Sequence, residues 1–237
     1  MNRSLTRSFR QTWSLCGCLI LGGCASGPIP TLTVYETPQS FVRLETDPSL
    51  SQETGHSHPA QLSTERIAAA LRGITVQEPL TRLPLYDDLS VPRRHPAFDE
   101  RAIEFWAPLL RLALSKATPD ELVTFYQSQP LSGMRREVTS GGVFLDGEEL
   151  HVVLSNYRSH TLSSGDTGSA DTMDDRLTPL RSLAPQKGAL SFDPSEFQRP
   201  ADPTSIASLF YWDQRELVIR VNRLPLPPTA AKPALVR

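Results

Sequence analysis

Hydrophobic positions in this chain come in short bursts separated by polar and proline-rich stretches, and the period inside each burst identifies the element it forms. Across 64–72, Ile67, Ala68 and Leu71 recur at helical spacing and share one face. Ser63 stands before them as an N-cap, Leu62 and Ile67 can form a hydrophobic staple, and Gly73 follows as a stop. A second helix is predicted over 99–116, capped by Asp99, with Ile103, Trp106, Leu110, Ala113 and Leu114 as its stripe. Phe105, Leu109 and Leu112 widen that stripe, so the helix is either wedged between layers of its own domain or offers a face to another protein. Pro108 should kink it, unless the regular helix starts there.

Elsewhere the period is that of strands. Val34-Tyr35 and 41–44 read as short strands, and 74–76 continues from the first helix as another. The run 122–126 is β-branched and aromatic and favours a strand, although Thr118-Pro119-Asp120-Glu121 would also open a helix. Residues 136–145 and 150–157 flank Asp146-Gly147, a hairpin signal, with Gly141-Gly142 as a bulge or bend. A second hairpin is expected from 206–212 and 216–224, where Leu217, Ile219 and Val221 face one way and Arg220 the other. The prediction is an α+β fold: an antiparallel β-sheet with two packed helices, a long irregular insertion, and extended tails.

The polar stretches define the organisation. Residues 49–60 read as loop; 79–97, with Pro79, Pro84, Pro92 and Pro96, as a connection; 158–204, rich in Ser, Asp and Pro, as an insertion with little regular structure; and 225–237 as a mobile Pro-rich tail. With 21 prolines and 13 glycines in 237 residues, composition agrees that much of the chain is connection.

The first residues have a separate meaning. Arg3, Arg7 and Arg10 precede a short apolar stretch over 13–21, which reads as a secretory signal and is shorter than the roughly 20 residues a membrane span needs. It ends in Leu21-Gly22-Gly23-Cys24, which resembles the lipobox of bacterial lipoproteins. The resemblance covers the leader alone. It implies cleavage after Gly23, diacylglyceryl transfer to the Cys24 thiol and acylation of the new amino terminus, which together hold a protein on a bilayer stably. Ala25 after the cysteine implies the outer membrane in the enterobacterial pattern. The expected divisions are thus a signal peptide at 1–23, the lipidated cysteine and a tether at 24–33, one domain at 34–224, and the tail.

This reading changes the composition. Of the three cysteines, Cys16 and Cys18 leave with the leader and Cys24 carries lipid, so the mature chain has no internal disulfide. Removing the leader leaves 21 basic against 26 acidic side chains, a formal charge of −5. Export and that charge disfavour nucleic acid as a partner.

Candidate chemistry is sparse. His56-Ser57-His58 places two imidazoles on one side of an extended segment, where both could reach one Zn²⁺ or Cu²⁺ ion. A third ligand would have to come from His95, His151, His160 or a carboxylate; the alternative is a solvated loop or histidines near the helix cap. Asp166, Asp171, Asp174 and Asp175 could gather Ca²⁺ or form a solvated acidic loop, and Arg93-Arg94 and Arg135-Arg136 could meet phosphates or lie free on the surface. No Gly-x-Ser-x-Gly elbow or His-Glu-x-x-His motif occurs. The expectation is a lipid-anchored envelope protein on the outer membrane facing the periplasm, without a cofactor beyond its lipid, that binds another envelope protein or serves as a non-enzymatic assembly accessory. The alternatives are a small-molecule or lipid-binding module, with a pocket between sheet and helices, and a metal-dependent or hydrolytic enzyme using His56 and His58.

Overall fold

The computed structural model describes residues 30–50, 55–78, 93–132, 135–162, 175–184, 188–199 and 215–226. The leader with Cys24, the tail beyond 226, Asp166, Asp171, Asp174 and the first arm of the second predicted hairpin, 206–212, lie outside them. In chain order the elements are β1 (Pro30–Glu36), β2 (Ser40–Thr46), α1 (Thr64–Gly73), β3 (Ile74–Gln77), β4 (Arg94–Pro96), α2 (Glu100–Leu114), β5 (Glu121–Pro130), β6 (Arg135–Asp146), β7 (Glu149–Leu162), β8 (Ala189–Phe192) and β9 (Glu216–Arg220). Antiparallel pairing links β1-β2-β5-β6-β7-β9 in one six-stranded sheet and β4-β3-β8 in a second of three strands. The α+β class with an antiparallel sheet and two helices is as predicted; the second sheet is not.

Both helix starts follow from their caps. The Ser63 hydroxyl accepts from the Arg66 amide and the Asp99 carboxylate from that of Ala102, satisfying donors that a helix leaves open at its first turn. Gly73 closes α1 because β8 runs against it: a Cβ there would stand 2.2 Å from the Phe192 ring. The helix α2 begins at Glu100 and continues through Pro108, whose missing amide falls on an exposed position. Its stripe of Ile103, Trp106, Leu110, Ala113 and Leu114 is buried, and Phe105 meets the edge of Tyr35 from β1 at 5.3 Å. The helix is therefore wedged inside its own domain.

The large sheet is buried on both faces, and this hides its period. Along β5, Val123 and Phe125 point into the main core with Val42, Leu44, Val143, Val152 and Leu154, while Leu122, Thr124 and Tyr126 are just as buried on the other side. A strand covered twice reads as an unbroken apolar run. On β9, Leu217 and Ile219 are buried as their alternation predicts, and β7 is the partner of that strand. The bulge expected at Gly141-Gly142 lies one step earlier, at register shifts around Ser140.

Several expected loops are ordered elements. Residues 30–33, assigned to the tether, begin β1; residues 94–96 of the predicted connection form β4; and within the predicted insertion 158–162 extend β7 while 189–192 form β8. Three of these are short or edge segments, and β8 pairs with β3 more than a hundred residues earlier, so local patterning carries little sign of them.

Candidate functional site

The outer face of the large sheet, away from the helices, carries the polar chemistry. Its floor is built by alternation: Leu122 on β5, Gly142 and Phe144 on β6, and Val153 and Ser155 on β7 line one open groove of about 830 Å³. Asp47, Pro48, Ser49, Leu50, Gly55 and His56 form one wall, and Asp146, Glu216 and Leu180 complete the rim.

The predicted histidine pair stands here, and the two rings do different work. Residues 55–60 are not a solvated loop: His56 donates its amide to the Pro119 carbonyl at 2.7 Å, Ser57 to Leu145 at 2.7 Å and Ala60 to Leu114 at 2.8 Å. His58 is buried, its Nδ1 2.9 Å from the Glu121 carbonyl and its Nε2 accepting the Leu145 amide at 3.1 Å. That pattern requires neutral imidazole with the proton on Nδ1. Burial holds its pKa below the usual histidine range, reinforced by the neighbouring His56 and only partly opposed by the Glu121 carbonyl. Both nitrogens are occupied, so a metal bound to His58 would have to displace a backbone hydrogen bond. Among the described residues no group of three His, Cys, Asp or Glu side chains is placed to hold a metal ion.

His56 faces the groove instead. Its Nε2 lies 3.0 Å from Asp47 Oδ2, and its ring packs on Phe144 at 4.2 Å between centroids. Burial pushes the Asp47 carboxyl up, but the Ser49 amide and hydroxyl at 2.8 and 2.6 Å, together with His56, hold it below the usual carboxylate range. His151, opposite Phe144 across β6 and β7, stacks on the same ring at 4.5 Å and pairs through Nδ1 with Glu216 at 2.7 Å. The result is a row of three rings, His56, Phe144 and His151, flanked by two carboxylate–imidazole pairs. No serine or cysteine among the described residues is hydrogen-bonded to either ring, so the row lacks an activated nucleophile. The other proposed third ligands lie apart: His95 stacks on Tyr157 and pairs with Glu78, and His160 pairs with Glu137.

A strap, residues 175–184, lies across the same face. Asp175 is buried and accepts from the Tyr126 hydroxyl at 3.0 Å and from Arg136 at 2.8 Å, while Arg136 also donates to Tyr126 at 2.7 Å. Burial and the adjacent Asp175 charge push the Tyr126 phenol up to about 12. Ser140 donates to the Pro179 carbonyl; Asn156 donates to Ser140 and to the Arg181 carbonyl and accepts from the Leu183 amide. Asp175 thus belongs to an ion pair with Arg136. Arg94 lies 3.8 Å from Asp193. Pattern reasoning missed Ser140, Asn156 and Tyr126, whose only signal is a polar group in an otherwise apolar strand.

Beneath the strap, Glu45, Thr46, Pro48, Leu122, Thr178, Pro179, Leu180 and Arg181 line a recess of about 150 Å³. Glu45 is 2% exposed; one carboxylate oxygen accepts from the Thr124 hydroxyl at 3.0 Å, and the other has no partner among the described residues. Burial raises its pKa to about 6, against the opposing effects of Thr124 and Arg43. The groove and the recess both lie on the outer face of the large sheet, away from the helices.

These features define an α+β domain with a ring-floored acidic groove on its outer sheet face. Compared with known protein families, curated proteins and solved structures, the chain matches none. Among the described residues no helix is long and apolar enough to cross a membrane.

Proposed function

We propose that this protein is a lipid-anchored envelope protein whose outer groove holds a cationic segment of a second envelope protein. The groove is the observation that carries the reading. It is open and about 830 Å³ in volume, its floor carries the Phe144 ring among Leu122, Gly142, Val153 and Ser155, and Asp47, Asp146 and Glu216 line it. Those carboxylates favour ligands bearing positive charge, and Phe144 with Leu122 and Val153 supplies apolar area beneath them. An open trough suits a chain segment better than a small enclosed ligand.

Anchoring rests on Leu21-Gly22-Gly23-Cys24. Only six positions separate Cys24 from Pro30, where β1 begins, so the sheet stands within about 20 Å of the acyl chains when that stretch is fully extended. The groove would then work close to the membrane surface. Two measurements test this. Incorporation of labelled palmitate should occur in the natural chain and vanish in Cys24→Ser. A photoreactive amino acid at Phe144 or Ser155 should yield a discrete heterologous adduct in intact envelopes, absent when it is placed at exposed Glu104 on α2. Equal adduct patterns from both positions would refute the groove as the binding surface.

A further inference from the structure

The strap on the large sheet covers an acid. Glu45 is 2% exposed; one carboxylate oxygen accepts from the Thr124 hydroxyl at 3.0 Å, and the other has no partner among the described residues. The neighbouring strands set Pro30 and Leu122 opposite it, neither of them charged. Along its own strand, Arg43 attracts a carboxylate at this place but turns its guanidinium to Glu36 at 2.6 Å. Two positions further on, Asp47 is engaged by Ser49 and His56. From the strap, Thr178, Pro179, Leu180 and Arg181 complete the recess, and Arg181 gives Glu45 no hydrogen bond. A carboxyl so enclosed is far less costly neutral than ionised.

The cover itself is lightly held. Ser140 donates to the Pro179 carbonyl at 2.7 Å, and Asn156 donates to the Arg181 carbonyl at 2.7 Å and accepts from the Leu183 amide at 2.8 Å. Leu177 and Leu180 leave 56% and 36% of their surface in solvent, and Leu183 is half-buried on Phe41, Tyr126 and Val138. Water can replace each of the three polar ties, which puts this segment at the low end of local stability, while the Asp175–Arg136 pair fixes its start.

We infer that the strap is a proton-controlled cover: it lies closed while Glu45 is protonated, and ionisation of Glu45 lifts residues 178–183 so that water reaches the carboxylate. Pro48, Leu122 and Leu180 line both recess and groove, so lifting joins the two into one opening. The cover depends on the carboxylate alone, and a groove that binds no cationic segment leaves it standing. Its direction follows from linkage. The closed strap holds the carboxyl at about 6, against the ordinary 4.5 once hydrated, so the proton is bound more tightly in the closed state. Closure is favoured at low pH and lost as pH rises through that window; the ratio of open to closed grows about twentyfold from pH 4 to pH 8.

Hydrogen exchange of the Leu183 amide in the detergent-solubilised full chain tests this, expressed at each pH as protection relative to an unstructured peptide. Protection should fall about twentyfold from pH 4 to pH 8, while amides within β5 and β6 keep theirs. Glu45→Gln should hold the strap closed, with no such change across the range. Thr124→Val, which keeps the shape but removes the one donor, should move the fall to higher pH, and Arg181→Ala should retain it. Constant protection in the natural chain, or an equal fall in Glu45→Gln, would overturn the inference. So would protection that rises with pH, since Arg181 would then be turning in to pair with ionised Glu45 and fasten the strap.

Discussion

Replacing His58 by leucine isolates what a histidine does when both of its ring nitrogens meet backbone groups. The side chain is buried, and its two nitrogens close hydrogen bonds to the Glu121 carbonyl and the Leu145 amide, tying residues 55–60 to both β5 and β6. Leucine fills similar space but leaves both backbone groups without this partner. Each buried group so orphaned costs about 1–3 kcal/mol, and leucine recovers part of that through apolar burial. The net expectation is a loss of about 3 kcal/mol, or roughly 6–12 °C in Tm for a domain of this size. Urea unfolding followed by the fluorescence of buried Trp106 measures it, and amide exchange at Leu145 should accelerate because that proton loses its acceptor. The pH dependence has a definite sign. His58 has a folded pKa below its unfolded value, so the unfolded chain takes up the proton first. Its stabilising contribution is fully present above pH of about 6.5 and is lost as pH falls below that value. The gap between natural protein and variant should therefore narrow from pH 8 to pH 5. A loss under about 1 kcal/mol, or a gap independent of pH, would refute the assignment of His58 as a neutral connector.

Three further outcomes are expected. Gly141→Ala should prevent stable folding or cost at least about 4 kcal/mol, because its Cβ would stand 1.9 Å from the Val153 carbonyl oxygen, a backbone atom that cannot step aside; soluble yield and thermal melting report it. Glu45→Gln should stabilise the unliganded protein by up to about 2 kcal/mol at pH 7, since raising the carboxyl from 4.5 to about 6 means that the ionised form is disfavoured in the fold. The folded state holds that proton more tightly, so stability falls as pH rises through this window; the advantage of glutamine should vanish at pH 4, which urea midpoints at the two pH values check. Asp175→Asn should cost about 1–2 kcal/mol, discounted because Arg136 keeps 24% of its side-chain surface in solvent, and it should speed proteolysis within 175–184 while β5–β7 stay protected from hydrogen exchange.

The sequence was most legible where one periodic signal met one cap. Ser63 and Asp99 announce their helices, and Leu217 and Ile219 announce a strand, because each depends on neighbours within a few residues. It was least legible where burial depends on distant chain. In β5 the run Leu122-Val123-Thr124-Phe125-Tyr126 looks ambiguous because the strap covers one side and the core the other. His56 and His58 are correctly placed two apart on an ordered segment, but spacing cannot tell an imidazole that faces a carboxylate from one that bridges two backbones. Asp175 sits among other aspartates in sequence, and only the fold brings it to Arg136 and Tyr126, which lie 39 and 49 positions away. The groove itself is a joint product of β5–β7, the 47–56 wall and Leu180, and no local pattern contains it.

The two faces of the large sheet differ in a way that bears on function. The inner face is closed largely by apolar contact, with Val42, Leu44, Val123 and Phe125 in one core with the stripe of α2. The outer face buries Glu45, Thr124, Ser140, Asn156 and Asp175 at 6% exposure or less. An apolar outer layer would be at least as stable, since buried ion pairs roughly break even against well-packed hydrocarbon. Directional bonds do something hydrocarbon cannot: they fix the strap in one register, because Asn156 must meet both Arg181 and Leu183 and Ser140 must meet Pro179. That register sets where Leu180 sits over Gly142, whose Cβ would come within 3.0 Å of it, and Leu180 in turn separates groove from recess. A slip of one residue along the strap would put Pro179 or Arg181 in that place and close or recharge the opening. The polar layer is therefore best understood as the device that positions the strap over the groove, with the main apolar core supplied from the other side of the same strands.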